Sequence, residues 1–349
     1  MTEAKVKITN LYKIFGLDPQ SVMGLVKNNV SKQELLDEHG HVLGLSNINI
    51  SVPAKRIQVI MGLSGSGKST LIRHINRLIE PTAGEVIVDD EDVLQMSPDQ
   101  LRDFRRHKIS MVFQKFALLP HRTVAQNVAY GLTIQGIDEN KAEEHSHQWI
   151  DRVGLAGFEH HYPGQLSGGM QQRVGLARAL ATDAEVLLMD EAFSALDPLI
   201  RTDMQDILLG LQDELHKTII FITHDLDEAL RIGDRIAILR DGSVVQEGDP
   251  QDIVMNPADD YIFDFIKDIN RGRVVEVRSV MEAPNGATGP ELKMSMPIEE
   301  ALQIFVSNDQ HMGVVVDDDG KVVGKVELEN AVAAIARPSR ESSEDERYK

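Results

Sequence analysis

Short, almost continuous apolar runs alternate with segments of helical period along much of the chain. The runs at residues 57–61, 186–189 and 218–222 predict strands that are buried on both faces of a parallel sheet. Two further runs, 236–239 and 243–245, flank an Asp-Gly pair that is typical of a hairpin turn. Because helical segments separate the buried runs, the pattern predicts an α/β core.

The amino-terminal part predicts two strands with an additional segment between them. Residues 5–10 alternate apolar and polar positions, and a second strand pattern covers residues 47–52. Residues 17–42 form the additional segment, which we call the insertion. A helix is expected within it over residues 31–38, with Ser31 as its cap.

Beyond the last strand pair, the chain predicts a second and smaller α+β unit. From residue 274 the pattern reads strand, helix (297–307), hairpin and helix. The final residues, 338–349, are so rich in charge that we expect disorder. A length of 349 residues favours two domains, and we place them at 1–270 and 271–337.

Charge and composition exclude several classes of protein. The 36 Lys and Arg residues are outnumbered by 55 Asp and Glu residues, and the resulting net charge of −19 disfavours nucleic acid as a partner. The sequence contains 0 cysteines, which excludes disulfides and thiolate metal sites and fits the cytosol. The sequence predicts neither a signal peptide nor a membrane span, so we expect any membrane role to run through another protein.

Residues 62–70, Gly-Leu-Ser-Gly-Ser-Gly-Lys-Ser-Thr, follow the first buried run directly and match a phosphate-binding loop. A strand that leads through a Gly-rich turn into a helix directs backbone N–H groups and the positive end of the helix dipole at one point. Lys68 adds a positive charge for the β- and γ-phosphates, and the Ser69 hydroxyl is a candidate Mg²⁺ ligand. The alternative, a Gly/Ser-rich linker, is disfavoured because a helical segment begins at once. The candidate nucleotide-binding residues here are Gly62, Ser64, Gly65, Ser66, Gly67, Lys68, Ser69 and Thr70.

Two carboxylates, Asp190 and Glu191, end the buried run at 186–189. Asp190 is a candidate Mg²⁺ ligand, directly or through water. Glu191 is a candidate to polarise a water molecule in line with the γ-phosphate. A solvated Asp-Glu pair is also common at strand ends, so the pair alone leaves both interpretations open.

Ser167, Gly168 and Gly169 stand at the start of a helical segment, which predicts a second anion-binding surface by the same dipole argument. Together with the phosphate loop and the pair at 190–191, they resemble the ordered motifs of the ATP-binding cassette (ABC) ATPases, with 167–169 in the signature motif.

Three more residues share this resemblance. Gln114 resembles the family's glutamine that contacts Mg²⁺ and water, and Asp197 lies in a segment similar to the loop that crosses the dimer interface. His224 resembles the switch histidine that contacts the γ-phosphate. The resemblance therefore implies that Glu191, His224 and Gln114 are catalytic and that Ser69, Gln114 and Asp190 hold Mg²⁺.

The resemblance implies an ABC-type nucleotide-binding domain, in which a mixed sheet carries a helical subdomain, here at 115–165. It also implies a homodimer in which residues 167–169 of one copy cover the ATP held by Lys68 of the other. Asp197, in the loop that crosses the interface, is a further candidate nucleotide-binding residue. Family members stack adenine on an aromatic residue shortly before the first-strand glycine. Phe15 has that place here, with Tyr12 as the alternative.

Residues 193–201 and 224–229, together with the insertion, are similar to the ATPase subunits of glycine betaine/proline-type quaternary-amine importers. The similarity covers residues 5–268. It implies a peripheral protein on the cytoplasmic face of the membrane, which works with permease subunits and, indirectly, with a solute-binding protein. We expect residues 116–130 to dock on the permease. The sequence does not distinguish between glycine betaine, choline, proline betaine and related solutes.

The carboxy-terminal unit resembles a single cystathionine-β-synthase (CBS) repeat. Glu327 and Asn330 stand where adenosine-binding versions often carry Thr and Asp, so we expect a packing or ionic-strength-sensing element rather than a nucleotide site. Two other functions stay open for the whole chain. One is an ABC ATPase of DNA repair or translation, and the other is a nucleotide-sensing regulatory module.

Overall fold

The computed structural model describes residues 4–114 and 116–336. These residues form two compact units, with the boundary between Glu247 and Gly248. None of the helices in the described residues combines the length and the apolar composition needed to cross a membrane. The charged tail predicted at 338–349 lies outside the described residues.

The strands of the described residues are β1 (Ala4–Phe15), β2 (Val42–Pro53), β3 (Ile57–Met61), β4 (Ala83–Val88), β5 (Glu91–Asp92), β6 (Ile109–Val112), β7 (Val186–Asp190), β8 (Thr218–Thr223), β9 (Arg235–Arg240), β10 (Ser243–Gly248), β11 (Glu291–Lys293), β12 (Met312–Val316) and β13 (Val322–Glu327).

The α-helices are α1 (Met23–Lys27), α2 (Lys32–Asp37), α3 (Lys68–Ile75), α4 (Pro98–His107), α5 (Val124–Val128), α6 (Tyr130–Ile134), α7 (Glu139–Arg152), α8 (Gly168–Ala181), α9 (Pro198–Leu215), α10 (Leu226–Ile232), α11 (Pro250–Met255), α12 (Asp260–Ile266), α13 (Arg271–Val274), α14 (Ile298–Asn308) and α15 (Leu328–Ile335).

The first unit is organised by a six-stranded sheet in the order β10-β9-β3-β8-β7-β6. Strands β3, β8, β7 and β6 are parallel neighbours, and every residue of β3, β7 and β8 is buried. The prediction from the continuous apolar runs is therefore confirmed. Because the four strands are parallel, the segments that follow them leave the sheet at the same edge.

The insertion packs on a second sheet, of order β2-β1-β4-β5, through a small hydrophobic cluster of its own. We call this cluster the insertion core; its buried members are Ile14, Val22, Met23, Val26, Leu35 and Leu43. The expected helix forms as α2, and the Ser31 side chain accepts a hydrogen bond from the Glu34 N–H at 3.1 Å. The helix therefore has a capped start and a buried anchor in Leu35.

The helical subdomain comprises α5, α6 and α7, which pack with α8. The helical structure is interrupted between α6 and α7. There the Asp138 side chain caps the start of α7 by accepting hydrogen bonds from the N–H groups of Asn140 and Lys141. Trp149, the single tryptophan, is buried in α7 and provides a fluorescence probe for the first unit.

The second unit contains the three-stranded sheet β11-β12-β13 with helices α14 and α15. The strand predicted from residue 274 is wrong, because residues 271–274 form helix α13 instead. The guanidinium of Arg271 is buried and donates to the carbonyl oxygens of Val254 and Ala334, both at 2.9 Å. These long-range hydrogen bonds stabilise a helical turn. The local alternation of apolar and polar residues does not predict it.

Helix α11 belongs to the second unit because Gln251 binds the chain after α13. Its amide donates to the Val274 carbonyl at 2.9 Å and accepts from the Glu276 N–H at 3.0 Å and the Ser279 hydroxyl at 2.9 Å. The compact unit thus includes residues 248–270, which the division at 270 assigns to the first domain.

A buried histidine in α3 makes the stability of the first unit depend on pH. His74 is fully buried, and its Nδ1–H donates to the Thr70 carbonyl at 2.6 Å. The pKa of His74 is lowered to about 4, mainly by burial. The hydrogen bond to Thr70 and the charge of Glu80 oppose this shift, and the charge of Lys13 adds to it. Because the unfolded chain protonates this imidazole near pH ~6.5, acid favours the unfolded state until the pH falls through the folded-state pKa.

We therefore expect the wild-type chain to lose about 2 kcal/mol more unfolding free energy than His74→Gln between about pH 7.5 and about pH 5. Urea unfolding followed by Trp149 fluorescence measures the difference. His39→Gln, at an exposed histidine, is the matched control and should lose as much as the wild type. Equal losses in the wild type and His74→Gln would contradict the assignment.

Candidate active site

The phosphate loop turns in a way that only glycine allows at two of its positions. Gly67 is the N-cap of α3 and has φ 102°, and a Cβ there would lie 2.9 Å from the Gly44 carbonyl oxygen. Gly62 has φ 150°, and its Cβ would lie 2.2 Å from the Leu239 carbonyl oxygen. The loop therefore packs closely against the neighbouring backbone on one side.

On its other side the loop lines an open pocket of about 610 Å³. The pocket is lined by Ser64, Gly65, Gly67, Lys68, Ser69 and Thr70 of the loop. Gly62 and Ser66 are not part of this lining. The Ser66 hydroxyl is buried and has no hydrogen-bond partner within the described residues. Six of the eight loop residues predicted to bind nucleotide thus face one common space.

Lys68 is buried at the base of the pocket, with 3% of its side chain exposed. Its ammonium donates to the carbonyl oxygens of Gly62 (2.8 Å) and Leu63 (3.1 Å) and lies 3.6 Å from Oε1 of Glu191. Burial lowers the pKa of Lys68, while Glu191 and Asp190 act in the opposite direction. The cation is thus desolvated and held in place before any anion binds.

Asp190 ends β7 beside the start of α3. Its Oδ1 accepts a hydrogen bond from the Ser69 hydroxyl at 2.7 Å, and its Oδ2 lies 3.3 Å from a nitrogen of Arg73. A hydroxyl and a carboxylate side by side are the oxygen donors that Mg²⁺ prefers. The described residues contain no cluster of three or more His, Cys, Asp or Glu that could hold a metal alone. An ion bound to Ser69 and Asp190 therefore needs ligand atoms from a bound molecule or water.

Glu191 adopts the left-handed conformation, with φ 47°. Its N–H donates to the Ile222 carbonyl at 3.1 Å, and its carbonyl accepts from the Ser194 hydroxyl at 2.9 Å. A left-handed conformation is costly for a residue other than glycine, asparagine or aspartate, and the bonds on both sides of Glu191 maintain it.

The Glu191 carboxylate is where three predicted residues meet. Oε2 accepts a hydrogen bond from the Gln114 amide at 3.1 Å and lies 3.6 Å from Nδ1 of His224, while Oε1 faces Lys68. Gln114 follows β6 and His224 follows β8, the two strands on either side of β7. The order of the sheet thus brings these side chains together.

Arg201 links this site to the segment that contains Asp197, and the sequence analysis missed it. Its guanidinium pairs with Asp225 at 2.9 Å and donates to the Leu196 carbonyl at 3.3 Å. Asp225 follows His224 and caps α10. Arg73 was missed as well. Its place one helical turn after Ser69 was the available signal, since residues four apart share a helix face.

The pocket distinguishes between the two aromatic candidates. Phe15 is 41% exposed and lines the pocket, and the Lys13 ammonium lies 5.0 Å from its ring centre. Tyr12 instead packs against the insertion core. Phe15 is therefore the aromatic side chain available to a ligand in this pocket.

The four residues that are predicted to lie at a dimer interface are all outside the pocket lining. Ser167 and Gly168 are exposed at the start of α8, where the Ser167 hydroxyl accepts from the Met170 N–H at 3.3 Å. Gly169 lies against α9, since a Cβ there would be 2.6 Å from Cγ2 of Ile200. Asp197 caps α9 and is exposed. In the single chain this second surface is therefore exposed to solvent, and it is separate from the pocket.

Comparison with protein-family models gives two matches along the chain. The model described as "ABC transporter" matches residues 45–194, and the model described as "CBS domain" matches residues 290–337.

Curated relatives match over almost the whole chain. The glycine betaine transport ATP-binding protein OpuAA of Bacillus subtilis is 48% identical over 330 residues, which cover 93% of this chain and 79% of that protein. The glycine betaine/proline betaine transport system ATP-binding protein ProV of Escherichia coli is 46% identical over 340 residues, 95% of this chain and 83% of that protein. The trimethylamine N-oxide transport system ATP-binding protein TmoW of Pelagibacter ubique is 42% identical over 328 residues, 93% of this chain and 96% of that protein.

A solved structure of a dimeric ATP-binding cassette in a post-hydrolysis state, bound to ADP and Pi, matches with a TM-score of 0.60 and 33% sequence identity. The match covers 70% of this chain and 98% of that one.

The close packing of the loop predicts that Gly67→Ala destabilises the first unit. The left-handed backbone alone should cost about 1–2 kcal/mol for alanine, and the contact with the Gly44 carbonyl adds to it. Urea unfolding followed by Trp149 fluorescence measures the loss. Gly24→Ala in α1 is the control because, apart from the chain neighbours and the backbone of its own helix, no described atom lies within 4 Å of a Cβ there. That substitution should leave stability unchanged or raise it, and equal losses in both variants would contradict the loop geometry.

Proposed function

We propose that this chain, which belongs to the ATP-binding cassette transporter family, is the ATP-hydrolysing subunit of an importer for quaternary amines and related compatible solutes. The observation that carries the proposal is the convergence of Lys68, Gln114 and His224 on the Glu191 carboxylate at the mouth of a phosphate loop. Such a site can bind a nucleoside triphosphate and place a base beside its terminal phosphate.

The class of solute is supported by the names of the relatives. Those names cite glycine betaine, proline betaine and trimethylamine N-oxide, which all carry a methylated, formally positive nitrogen. Because these relatives are all named as transport proteins, they favour import over a role in DNA repair or translation and over a purely regulatory nucleotide sensor. We assign the selection among these solutes to the permease and to a solute-binding protein.

ATP is expected to bind with its phosphates at the loop and its base on Phe15. In this arrangement Ser69 and Asp190 would hold Mg²⁺, with Gln114 as the third protein ligand, and the ion would neutralise phosphate charge. The backbone N–H groups at the start of α3 and the Lys68 ammonium bind the β- and γ-phosphates.

Glu191 is the proposed general base for hydrolysis. Its carboxylate accepts a proton from the attacking water, and Gln114 and His224 orient the reacting groups around it. His224 is 54% exposed in the single chain, so its imidazole is free to contact a γ-phosphate at the pocket mouth. Arg201, through Asp225, positions the segment that bears His224.

A homodimer is proposed to complete the site. The exposed start of α8 at Ser167 and Gly168 and the exposed Asp197 would cover the ATP held by the loop of a second copy. The matched dimeric cassette supports this assembly. Each closure and opening of the pair is a two-state change that ATP binding and hydrolysis bias in turn.

Permease subunits are the proposed mechanical partners, which would hold the chain at the cytoplasmic face of the membrane. Residues 116–130 remain the predicted docking surface. In support, a mostly apolar groove of about 270 Å³ is lined by Tyr130, Phe113 and Leu78, and the Leu78 side chain is 52% exposed. Because this apolar groove lies beside Gln114, a permease segment bound in it would be close to the ATP site.

The CBS-like module is proposed to act through packing or ionic strength. Lys325 forms ion pairs with Glu282 and Glu327, and the Asn330 amide donates to Glu282 at 2.9 Å. Ion pairs with exposed carboxylates, as Glu282 and Glu327 have here, weaken as the salt concentration rises. The two positions that differ from adenosine-binding versions are thus engaged within the module.

We expect Glu191→Gln to lower ATP turnover by about 10²–10⁴-fold, because the amide cannot accept the water proton. ATP affinity should persist, since the general base contributes little to ground-state binding, and the variant should accumulate as an ATP-bound dimer. Phosphate release and light scattering of the purified chain with Mg-ATP measure the two effects. Wild-type turnover by the variant would remove Glu191 from this role.

Lys68→Ala serves as the contrasting variant, because it removes ground-state charge from the pocket. We expect ATP affinity to fall about 10- to 100-fold in calorimetry, the equivalent of a charged hydrogen bond. No ATP-dependent dimer should form. Unchanged affinity would contradict the assignment of the loop.

A further inference from the structure

One wall of the nucleotide pocket comes from the insertion rather than from the strand-loop-helix core. The insertion contributes Lys32, Gln33, Leu36 and Val42 to the pocket lining. The rest of the lining comes from Phe15, Leu43 and Gly44 of the flanking strands, from the phosphate loop, and from Gln114 and Glu191. The insertion is therefore part of the ligand site.

Helix α2 is fixed to the body of the first unit. Leu35 is fully buried in the insertion core, and Ser31 caps the helix start. With Leu35 directed inwards, Lys32 and Leu36 lie one turn apart on one side of the helix. Their place beside the pocket is thus set by packing rather than by a flexible loop.

Three exposed apolar side chains line the pocket beside the insertion. Phe15 and Val42 are direct partners across β1 and β2, with exposures of 41% and 50%, and Leu36 of α2 is 46% exposed. Gly44 makes room for the Phe15 ring, since a Cβ there would lie 2.7 Å from Cε2 of Phe15. An apolar wall that shares a pocket with a phosphate loop fits a ligand with a flat apolar part and an anionic part.

Lys32 supplies a free cation next to this wall. Its ammonium has no hydrogen bond or ion pair to any described residue, although the chain carries 55 acidic residues. Its neighbour Gln33, by contrast, donates its amide to Asp37 at 2.7 Å. An ammonium group has three donors and no acceptor, so it suits a base nitrogen or a ribose oxygen of a bound nucleotide.

We propose that the insertion completes the nucleoside end of the ATP site. Leu36 and Val42 exclude water around a base that lies on Phe15, and Lys32 donates to an acceptor atom of the nucleoside. The insertion thereby raises the affinity for ATP over that for the bare polyphosphate. This inference rests on the proposed function, since it assigns a nucleoside triphosphate to the same pocket.

Calorimetry on the full chain with Mg²⁺ tests the inference, with ATP and inorganic tripolyphosphate as the two ligands. Lys32→Gln and Leu36→Gln should each weaken ATP binding by about 3- to 10-fold, the equivalent of one hydrogen bond or part of an apolar side chain. Binding of tripolyphosphate should not change. Lys27→Gln and Leu25→Gln are matched controls in α1 of the same insertion, outside the pocket lining, and should bind both ligands like the wild type.

Two results would overturn the inference. One is unchanged ATP affinity in both Lys32→Gln and Leu36→Gln, and the other is an equal loss for tripolyphosphate, which would move the contact to the phosphates. Neither result affects the proposed function as long as the wild type binds ATP and Lys68→Ala binds it more weakly. Failure of the wild type to bind ATP would instead count against the proposed function itself. Unfolding midpoints equal to those of the controls exclude misfolding as the cause.

Discussion

The site depends on the parallel order of four neighbouring strands, because that order brings three distant parts of the chain to one carboxylate. Strands β8, β7 and β6 are neighbours, and each is followed at the same edge by one member of the cluster: His224, Glu191 and Gln114. Strand β3 lies on the other side of β8 and leads into the phosphate loop with Lys68. A change in strand order would separate these groups even if every local motif stayed intact.

The charges of the pocket are balanced within the chain. Burial of Lys68 is offset by two backbone carbonyls and by Glu191, and Asp190 is held by Ser69 and Arg73. A buried ion without a partner destabilises the folded state. These contacts therefore allow the desolvated Lys68 ammonium to lie beside the open pocket. An incoming phosphate can then take over the role of the Glu191 carboxylate toward Lys68. That exchange would free the carboxylate for water.

Sequence patterns predict the parts of this protein whose signal is local. The buried strands β3, β7 and β8 and the cap at Ser31 follow from runs and spacings of a few residues. The prediction of a strand from residue 274 is wrong, because buried hydrogen bonds from Arg271 to distant carbonyl oxygens determine the conformation of that segment. Arg201 and the pocket-lining residues of the insertion were missed for the same reason, since only tertiary structure brings them to the site.

We propose that two copies of the chain build each ATP site together, with the phosphate loop from one copy and the exposed start of α8 from the other. Mixing two inactive variants, Lys68→Ala and Gly168→Asp, tests it most directly. A mixed pair holds one site in which an intact loop faces an intact Ser-Gly-Gly segment. We expect ATPase activity to appear on mixing and to be greatest near equal proportions of the two variants. A mixture that stays inactive at every proportion, while each variant remains folded, would contradict it.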